Sequence, residues 1–447
     1  MSKRKLFKFL SSDYDESTTT VKLRYGFDDD VVFEECFIFN DAPPITSLKQ
    51  KHALETCIRN LHLAAGVSYY KAYAPADIHI ENNKLSKNEA RFFEKFYLKG
   101  LGEFAYKNQL DLHDQIHFPS SNQAAAAAAD WPLRKRTVVP IGGGKDSIVT
   151  LEALKQAGED IILFSLGHAA PIKNTIQVAG LLAIFVTRVM SPNLFELNQA
   201  GALNGHVPVT GILSFVLTVA AVLYDFNLIA MSNEHSANSG NLVINGVEIN
   251  HQYSKSFEFE QDFAKHVTTC MLRNLGYFSF LRPLSEIAIA GLFAKLEQYH
   301  GVFTSCNKAF SIREQNRSSG WCCDCPKCRF VFLALAPFME KSHLINIFGK
   351  NLLDDATQET GFLELLGLQG YKPFECVGEI KESQAAFQAL NFKPAWQNDY
   401  LIKKLASEAA NNLLATDNLD AFLHTHGDQH ALSQHHLDIL DAFSRSC

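Results

Sequence analysis

One loop holds the residue types best suited to chemistry. It is a run of glycines followed by charged and hydroxyl side chains: Gly142, Gly143, Gly144, Lys145, Asp146 and Ser147. Without a Cβ, a glycine backbone can turn sharply and approach a ligand closely. A β-branched run precedes the loop and apolar residues at helical spacing follow it, which predicts a strand, a loop and a helix. The free N–H groups and positive dipole end of such a helix favour an anion, so the sequence predicts a phosphate-binding site here.

The order of residues separates this loop from two common phosphate-binding loops. A Walker A loop needs Gly-x-x-x-x-Gly-Lys-Ser/Thr, and a dinucleotide loop needs Gly-x-Gly-x-x-Gly. The sequence Gly-Gly-Gly-Lys-Asp-Ser instead resembles the PP-loop of the ATP pyrophosphatases, Ser-Gly-Gly-x-Asp-Ser, with Gly142 in place of the first serine. That resemblance implies cleavage of ATP between its α and β phosphates, transfer of AMP to a substrate oxygen and release of diphosphate. The alternative is a glycine turn without a ligand, which the flanking strand and helix disfavour.

Four cysteines have the spacing of a metal site. Cys322, Cys325 and Cys328 form C-x2-C-x2-C, and Cys306 lies upstream of them. Four thiolates suit a closed, tetrahedral zinc site with a structural role. An iron–sulfur cluster uses the same ligands and is the less favoured alternative, as are buried free thiols. Cys323 is predicted to be a spare.

Two polar clusters are further candidates for the site. Ser232, Glu234 and His235 follow a predicted strand at Leu228. Carboxylate, imidazole and amide groups serve Mg-ATP and acyl-phosphate sites, so this cluster is predicted to face the nucleotide, with a solvated connection as the alternative. The second cluster begins at His251 and includes a lysine that could meet phosphate, and a site role and a plain polar role are equally favoured there.

The elements around the loop predict an α/β fold. From residue 137 onward, near-continuous apolar strands alternate with helices, which is typical of a doubly wound, mainly parallel sheet covered on both faces. Ligands of such sheets bind at the carboxyl ends of the strands. The predicted domains are an N-terminal α+β domain over residues 1–125, a nucleotide-binding domain over residues 130–340 and a mainly helical region over residues 341–447. The alanine-rich run at 124–129 is the predicted boundary. In the first domain, residues 21–39 alternate on either side of a turn at 28–30, which predicts a hairpin, and Ser86 with Glu89 forms a capping box, which predicts the start of a helix. In the last region, residues 344–366 and 400–436 carry helical spacing.

Composition limits the classes of partner. The chain has 447 residues and a formal net charge of -7, which disfavours a broad nucleic-acid-binding surface. The apolar segment at residues 207–223 is short for a membrane span and contains polar residues, so a buried helix is expected. The basic N-terminus lacks a long apolar region after it, so no signal peptide is predicted and the cytoplasm is the expected compartment.

Motifs across the whole chain resemble the MurL family of UDP-N-acetylmuramoyl-L-alanyl-L-glutamate epimerases of bacterial cell-wall synthesis. These motifs are the glycine loop, the segment from Met231 to Asn238, Tyr253-Ser-Lys-Ser-Phe-Glu258, Trp321-Cys-Cys-Asp-Cys-Pro-Lys-Cys328 and Pro373-Phe-Glu-Cys-Val-Gly378. The resemblance implies an isomerase that uses ATP and Mg²⁺ to invert the terminal L-Glu of a UDP-linked dipeptide, releasing AMP and diphosphate. The implied partner is this small molecule, with no nucleic acid and no membrane.

The implied chemistry assigns roles to individual residues. The glycines and Ser147 are expected to hold diphosphate, Lys145 to add charge, and Asp146 to face Mg²⁺ or the loop backbone. Inversion also needs a base and an acid near the Glu α-carbon. The candidates are Cys376, His235 and His251; for Cys376 a small buried hydrophobe is the favoured alternative.

Two other functions remain open. A PP-loop paired with C-terminal cysteines also resembles the 7-cyano-7-deazaguanine synthases, in which the cysteines hold zinc, over roughly residues 138–330. This resemblance implies an ATP-dependent ligase or synthase acting on another carboxylate. The third hypothesis is a zinc-stabilised, ATP-binding sensor without enzymatic activity.

Overall fold

A computed structural model describes residues 4–81, 84–122, 127–240, 242–244, 247–311, 318, 320–405, 418–424 and 427–446. The strands are β1 (Leu6–Asp15), β2 (Thr20–Phe27), β3 (Val31–Phe39), β4 (Asp77–Ile80), β5 (Leu85–Ser86), β6 (Ser120–Ser121), β7 (Thr137–Pro140), β8 (Ile161–Leu166), β9 (Ala183–Val189), β10 (Leu228–Met231), β11 (Leu242–Ile244), β12 (Val247–Ile249) and β13 (Gly276–Ser279). The helices are α1 (Leu48–Ala65), α2 (Val67–Tyr70), α3 (Lys87–Gly100), α4 (Gly102–Lys107), α5 (Lys145–Gln156), α6 (Ala170–Ala179), α7 (Pro192–Gln199), α8 (Val209–Tyr224), α9 (Phe257–Cys270), α10 (Glu286–Ala294), α11 (Pro326–Leu335), α12 (Lys341–Phe348), α13 (Glu359–Leu365), α14 (Ile380–Asn391), α15 (Leu419–His424) and α16 (Gln434–Ser446).

One mixed sheet organises the fold. Its strand order is β13-β10-β7-β8-β9-β3-β2-β1-β4. From β13 to β9 all neighbours are parallel, whereas β9, β3, β2 and β1 pair antiparallel and β4 is parallel to β1. The sheet is therefore large and mostly parallel, which confirms the predicted α/β class. The finer assignment to the PP-loop superfamily fold stays a prediction.

Both faces of the parallel strands are buried, as their apolar sequences predict. Along β7, Val138 packs in one hydrophobic cluster and Val139 in another, because successive side chains point to opposite faces. Along β8, Ile162 and Leu163 divide in the same way. Helices α1, α3, α8 and α9 cover the first face, and helices α5, α10, α11 and α14 cover the second. A strand with water on one face would alternate apolar and polar residues instead.

The N-terminal region extends this sheet. The predicted hairpin is confirmed as β2 and β3, and the predicted capping box at Ser86 and Glu89 is confirmed at the start of α3. Strand β3 pairs with β9, and α1 packs against α8, so residues before 125 share a sheet and a core with the residues that follow. Of the alanine-rich run, residues 124–126 lie outside the described residues. The division at 125–130 stays a prediction about domains.

The C-terminal region is mainly helical among its described residues. The predicted helical stretch at 344–366 consists of the end of α12, two 3₁₀ turns and α13. Of the predicted helical stretch at 400–436, residues 406–417 and 425–426 lie outside the described residues. Helices α11, α14 and α15 pack against α10, so this region borders the sheet face that also carries α5.

The strongly apolar segment at 207–223 forms a buried helix. It is α8, whose side chains from Phe215 to Leu223 are at most 2% exposed, and it ends at Asp225 in a left-handed conformation. In the part of the chain that the structure describes, no helix combines the length and the apolar character needed to cross a membrane.

Candidate active site

The glycine loop lies at the carboxyl end of a central strand. Strand β7 ends at Pro140, and α5 begins at Lys145 without a side-chain cap. Gly143 has φ +81°, a left-handed conformation that favours glycine, and a Cβ there would lie 3.3 Å from Phe310. The hydroxyl of Ser147 accepts from the N–H of Gly142 at 3.4 Å and donates to the carbonyl of Gly144 at 3.2 Å. Ser147 therefore closes the loop, and the first N–H groups of α5 remain for an anion.

Lys145 is held between two carboxylates. Its side chain is 4% exposed, and its ammonium pairs with Asp146 and with Glu286 at the start of α10. Burial lowers the pKa of Lys145, but the charges of both carboxylates outweigh burial and raise it above its usual value. Lys145 is therefore a fixed cation beside the loop.

A cavity of about 340 Å³ opens next to the loop. It brings together most of the predicted site residues, which are Gly142, Gly144, Lys145, Asp146, Ser147, Ser232, Glu234 and Cys376. The buried hydroxyl of Ser232 has no hydrogen-bond partner among the described residues. Buried polar atoms normally have partners, so this orphan fits a site made for a polar ligand. The cavity thus joins the glycine loop, carboxylates and a thiol.

Arg282 fixes the two polar segments that border this cavity. Its side chain is fully buried and donates to the carbonyl of Glu234 at 2.8 Å and to that of Lys255 at 2.5 Å. Its charge is balanced by Glu260, at 2.9 Å. Because one rigid guanidinium holds both backbones, the Glu234 and Lys255 segments keep a fixed spacing across the site.

Cys376 is surrounded by cations. The ammonium of Lys255 lies 3.3 Å from its Sγ, and His251 forms a hydrogen bond with it. Burial raises the pKa of the Cys376 thiol, but the charges of Lys255 and Lys327 and the His251 hydrogen bond lower it to about 6. The favoured alternative from sequence, an inert buried thiol, does not fit this environment, because an inert thiol lies in apolar surroundings.

The two candidate histidines occupy different places. The ring of His251 bonds to Cys376 and, through Nδ1, to Glu103. Burial lowers the pKa of His251, but these two hydrogen bonds raise it to about 9. His235 packs against Gly427 and is not among the residues that line the cavity. The structure therefore brings His251, but not His235, to the thiol.

The four predicted cysteine ligands come together. The Sγ atoms of Cys306, Cys322, Cys325 and Cys328 all lie within 4.8 Å of one another. Tetrahedral bonds of about 2.3 Å place sulfurs about 3.8 Å apart, and the Cys322–Cys328 separation is 3.8 Å. The donor set therefore fits one zinc ion. Cys323 instead donates to the carbonyl of Phe348 at 3.2 Å, outside the group.

The cysteine cluster borders the glycine loop. The N–H of Thr304 donates to the carbonyl of Gly143 at 2.9 Å, two residues before the first clustered cysteine. Ser305 and Lys327 line the cavity, and Lys327 lies between two of the clustered cysteines in the chain. A metal that fixes these cysteines would therefore also fix one wall of the cavity.

Comparison with known proteins decides the family. Models of the MurL N-terminal domain and the MurL C-terminal domain match residues 1–280 and 302–420. The chain belongs to the MurL family. A relative from Xanthomonas oryzae pv. oryzae is 44% identical over 92% of this chain and 91% of its own length. Relatives from a Micromonospora species and Salinispora tropica are 45% and 40% identical, over 77% and 89% of this chain and 77% and 88% of their own lengths. Each of the three is named UDP-N-acetyl-alpha-D-muramoyl-L-alanyl-L-glutamate epimerase.

Several residues of this MurL-family site escaped the sequence analysis. They are Glu103, Arg282, Glu286, Ser305 and Lys327. Most lie far in sequence from the motif they serve, as Glu286 does from Lys145. Only Lys327 carried a local signal, because it lies inside the cysteine motif.

Proposed function

We propose that this chain uses ATP and Mg²⁺ to invert the terminal L-Glu of UDP-MurNAc-L-Ala-L-Glu to D-Glu, for peptidoglycan precursor synthesis in the cytoplasm. The observation that carries the proposal is that one cavity is lined by the phosphate loop and by the Cys376 thiol. The first suits activation of a carboxylate, and the second suits transfer of an α-proton. The names of the relatives support the choice of substrate.

Activation precedes inversion for an electronic reason. A proton α to a free carboxylate is hardly acidic, because the carbanion would form beside a negative charge. Joining the carboxylate to AMP removes that charge, so loss of the proton gives a stabilised enolate. Protonation on the opposite face and hydrolysis of the acyl-adenylate then give D-Glu and AMP.

The loop residues would serve the activation step. The N–H groups of Gly143 and Gly144 and the start of α5 would bind the diphosphate that leaves, with Lys145 as the fixed cation, because the N–H of Gly142 already donates to Ser147. Asp146 and Glu234 line the cavity and offer the oxygen ligands that Mg²⁺ prefers. The bound ion would neutralise phosphate charge.

Cys376 would serve as one member of the acid–base pair at the α-carbon. A thiol with a pKa of about 6 is mainly thiolate at neutral pH and can accept a proton. The thiol lines the cavity together with Lys255 and Glu234 and belongs to neither hydrophobic cluster.

The cysteine cluster is proposed to hold one structural zinc ion. Four thiolates leave no open position for a reacting group, so the ion would stabilise the wall formed by Ser305 and Lys327. About one zinc per chain is expected on elemental analysis of folded protein. Iron with acid-labile sulfide would instead indicate an iron–sulfur cluster.

The decisive experiment incubates the protein with ATP, Mg²⁺ and UDP-MurNAc-L-Ala-L-Glu and analyses glutamate chirality and nucleotide products. D-Glu together with AMP and diphosphate is expected. Asp146→Ala should remove AMP formation, whereas Cys376→Ser should form AMP but invert glutamate at least about 100-fold more slowly. Cys36→Ser, a partly buried thiol on β3 outside the cavity, is the matched control.

Other outcomes separate the alternatives. AMP without D-Glu from the unmodified protein would favour a PP-loop ligase or synthase acting on another carboxylate. ATP binding without any AMP, in folded protein, would favour the sensor. Either result would refute the proposal.

A further inference from the structure

A chain of hydrogen bonds leads from the thiol to the N-terminal region. Glu103 lies on α4 and is 5% exposed. One of its carboxylate oxygens accepts from Nδ1 of His251, and the other accepts from Lys107. His251 in turn bonds to Cys376. The order carboxylate, imidazole, thiol is the arrangement in which a base is oriented by a third group.

We infer that Glu103 is a positioning residue for proton transfer at Cys376: it orients His251 and keeps it protonated, so that the thiol remains ionised. This inference rests on the proposed function, because it takes Cys376 to be the group that exchanges the α-proton. Glu103 keeps its own charge throughout and exchanges no proton. It also gives the N-terminal region a role that its sequence did not reveal.

The charges around the thiol and imidazole are consistent with this role. Burial raises the pKa of Glu103, but its hydrogen bonds with His251 and Lys107 lower it to about 2, so it is a carboxylate at neutral pH. The neighbouring His206 is neutral, because burial and the charge of His251 lower its pKa to about 4. Lys255 and Lys327, which lie on other segments of the chain, lower the pKa of the Cys376 thiol through their positive charges. Glu103 is thus the acidic group bonded to the imidazole, and its removal should release the proton of His251 at lower pH.

A cation site is the competing interpretation of the same residues. Glu103, His206 and His251 offer ligand atoms within 4.8 Å of one another, a set that divalent zinc accepts. Two contacts disfavour it. The ammonium of Lys107 already forms an ion pair with the Glu103 carboxylate, and Nδ1 of His251 already forms a hydrogen bond with Glu103. A divalent ion would have to displace both.

The test measures the ionisation of the thiol without using the reaction. Iodoacetamide alkylates thiolates, so the rate of modification of the Cys376 peptide, followed by mass spectrometry across pH, gives the thiol pKa in the full chain. If Glu103→Gln raises that pKa by about one unit, alkylation slows about fivefold near pH 6 and is almost unchanged near pH 9. Glu103→Asp should restore part of the effect.

The matched control is Glu258→Gln. Glu258 is ion-paired with Lys95 and Lys99 on α3, the helix before α4. Its loss therefore removes a paired carboxylate while the bond between Glu103 and the His251 imidazole is kept. It should leave alkylation unchanged. Equal slowing of Glu103→Gln at every pH, or no slowing, would overturn the inference. So would one more divalent ion per chain in the unmodified protein than in Glu103→Gln.

The inference and the proposed function can fail separately. The alkylation profile needs neither ATP nor substrate, so it stands even if the protein does not epimerise the dipeptide. Conversely, an epimerase whose Glu103→Gln variant keeps the same pH profile would retain the proposed function and refute the role of Glu103. In the expected result, the alkaline limb of that profile moves to lower pH, because the imidazolium loses its partner.

Discussion

Lys255→Met should shift the pH dependence of the epimerase rather than abolish activity. Methionine keeps the length of the side chain and removes the ammonium that lies 3.3 Å from the Sγ of Cys376. Two unit charges at that separation attract each other by about 5 kcal/mol at an effective dielectric constant of about 20. Measured shifts from such contacts are smaller, about one to three pKa units, so a rise of about two units is expected.

The size of the defect then depends on pH. With the thiol pKa near 6, about 90% of Cys376 is thiolate at pH 7; with a pKa near 8, about 10% is. Inversion should therefore be about tenfold slower at pH 7 and nearly normal above pH 9, as far as His251 permits. The direction of the shift follows from the proposed mechanism, in which the Cys376 thiolate is the base. Raising the thiol pKa therefore removes activity on the acid side of the pH profile.

The assay is the rate of D-Glu formation across pH at saturating substrate, with circular dichroism to confirm folding. Lys265→Met, an exposed lysine near the opposite end of α9, is the control. A tenfold loss that persists at every pH would mean that Lys255 binds substrate or phosphate instead. An unchanged rate and profile would refute the reasoning that Lys255 sets the charge of the thiol.

Three further results are expected. A chelator selective for zinc, with Mg²⁺ in excess, should weaken ATP binding at least about tenfold in a calorimetric titration, and added zinc should restore it. The reason is that Thr304 links the cysteine cluster to the glycine loop. Unchanged ATP binding by metal-free protein would contradict that link. Glu286→Gln should lower the free energy of unfolding, measured by urea titration, by roughly 3 kcal/mol. This is the low end for a broken buried ion pair, because Asp146 still pairs with Lys145. Glu258→Gln breaks partly exposed pairs and should lower it by less than about 1 kcal/mol. The free energy of unfolding should fall as pH drops from about 6.5 to about 4. Burial lowers the pKa of the His266 imidazole to about 4, so at this histidine only the unfolded chain binds a proton in that pH range. In His266→Gln, the free energy of unfolding from urea titrations should therefore depend on pH less steeply by about 1 kcal/mol per pH unit, and an equal dependence would contradict this.

The elements of the fold followed from local patterns where those patterns were strong. The turn at residues 28–30 predicted the hairpin of β2 and β3, and Ser86 with Glu89 predicted the start of α3. The pairing of β3 with β9 was not predictable in this way. Antiparallel pairing between distant strands is decided by which edges are left free, and no local motif records that choice.

The candidate site likewise contains parts that local motifs predict and parts that only long-range packing assembles. The glycine loop and the cysteine cluster are local motifs, because a tight turn and a set of ligands for one metal ion require closely spaced residues. The surroundings of Cys376 are assembled from four distant segments, which carry Glu103, His251, Lys327 and the cysteine itself. From sequence alone a thiol in that position is most simply a small apolar residue. Only the fold brings cations to it and turns it into an acid–base candidate.

Hydrogen bonds around Cys306 support the proposal that the nucleotide and the thiol belong to one mechanism. The segment that carries Cys376 is tied to the residues after the clustered Cys306 by two hydrogen bonds from Asn307 to Glu375, of 2.6 and 2.7 Å. Thr304, on the other side of the same cysteine, bonds to Gly143. A single short segment therefore connects the glycine loop with the residue before Cys376, the proposed proton-transfer group. If that segment sets their spacing, Asn307→Ala should slow inversion more than AMP formation, because the phosphate loop keeps its own contact through Thr304 while the thiol loses its tether. Equal slowing of both steps would show instead that the segment acts on the nucleotide alone.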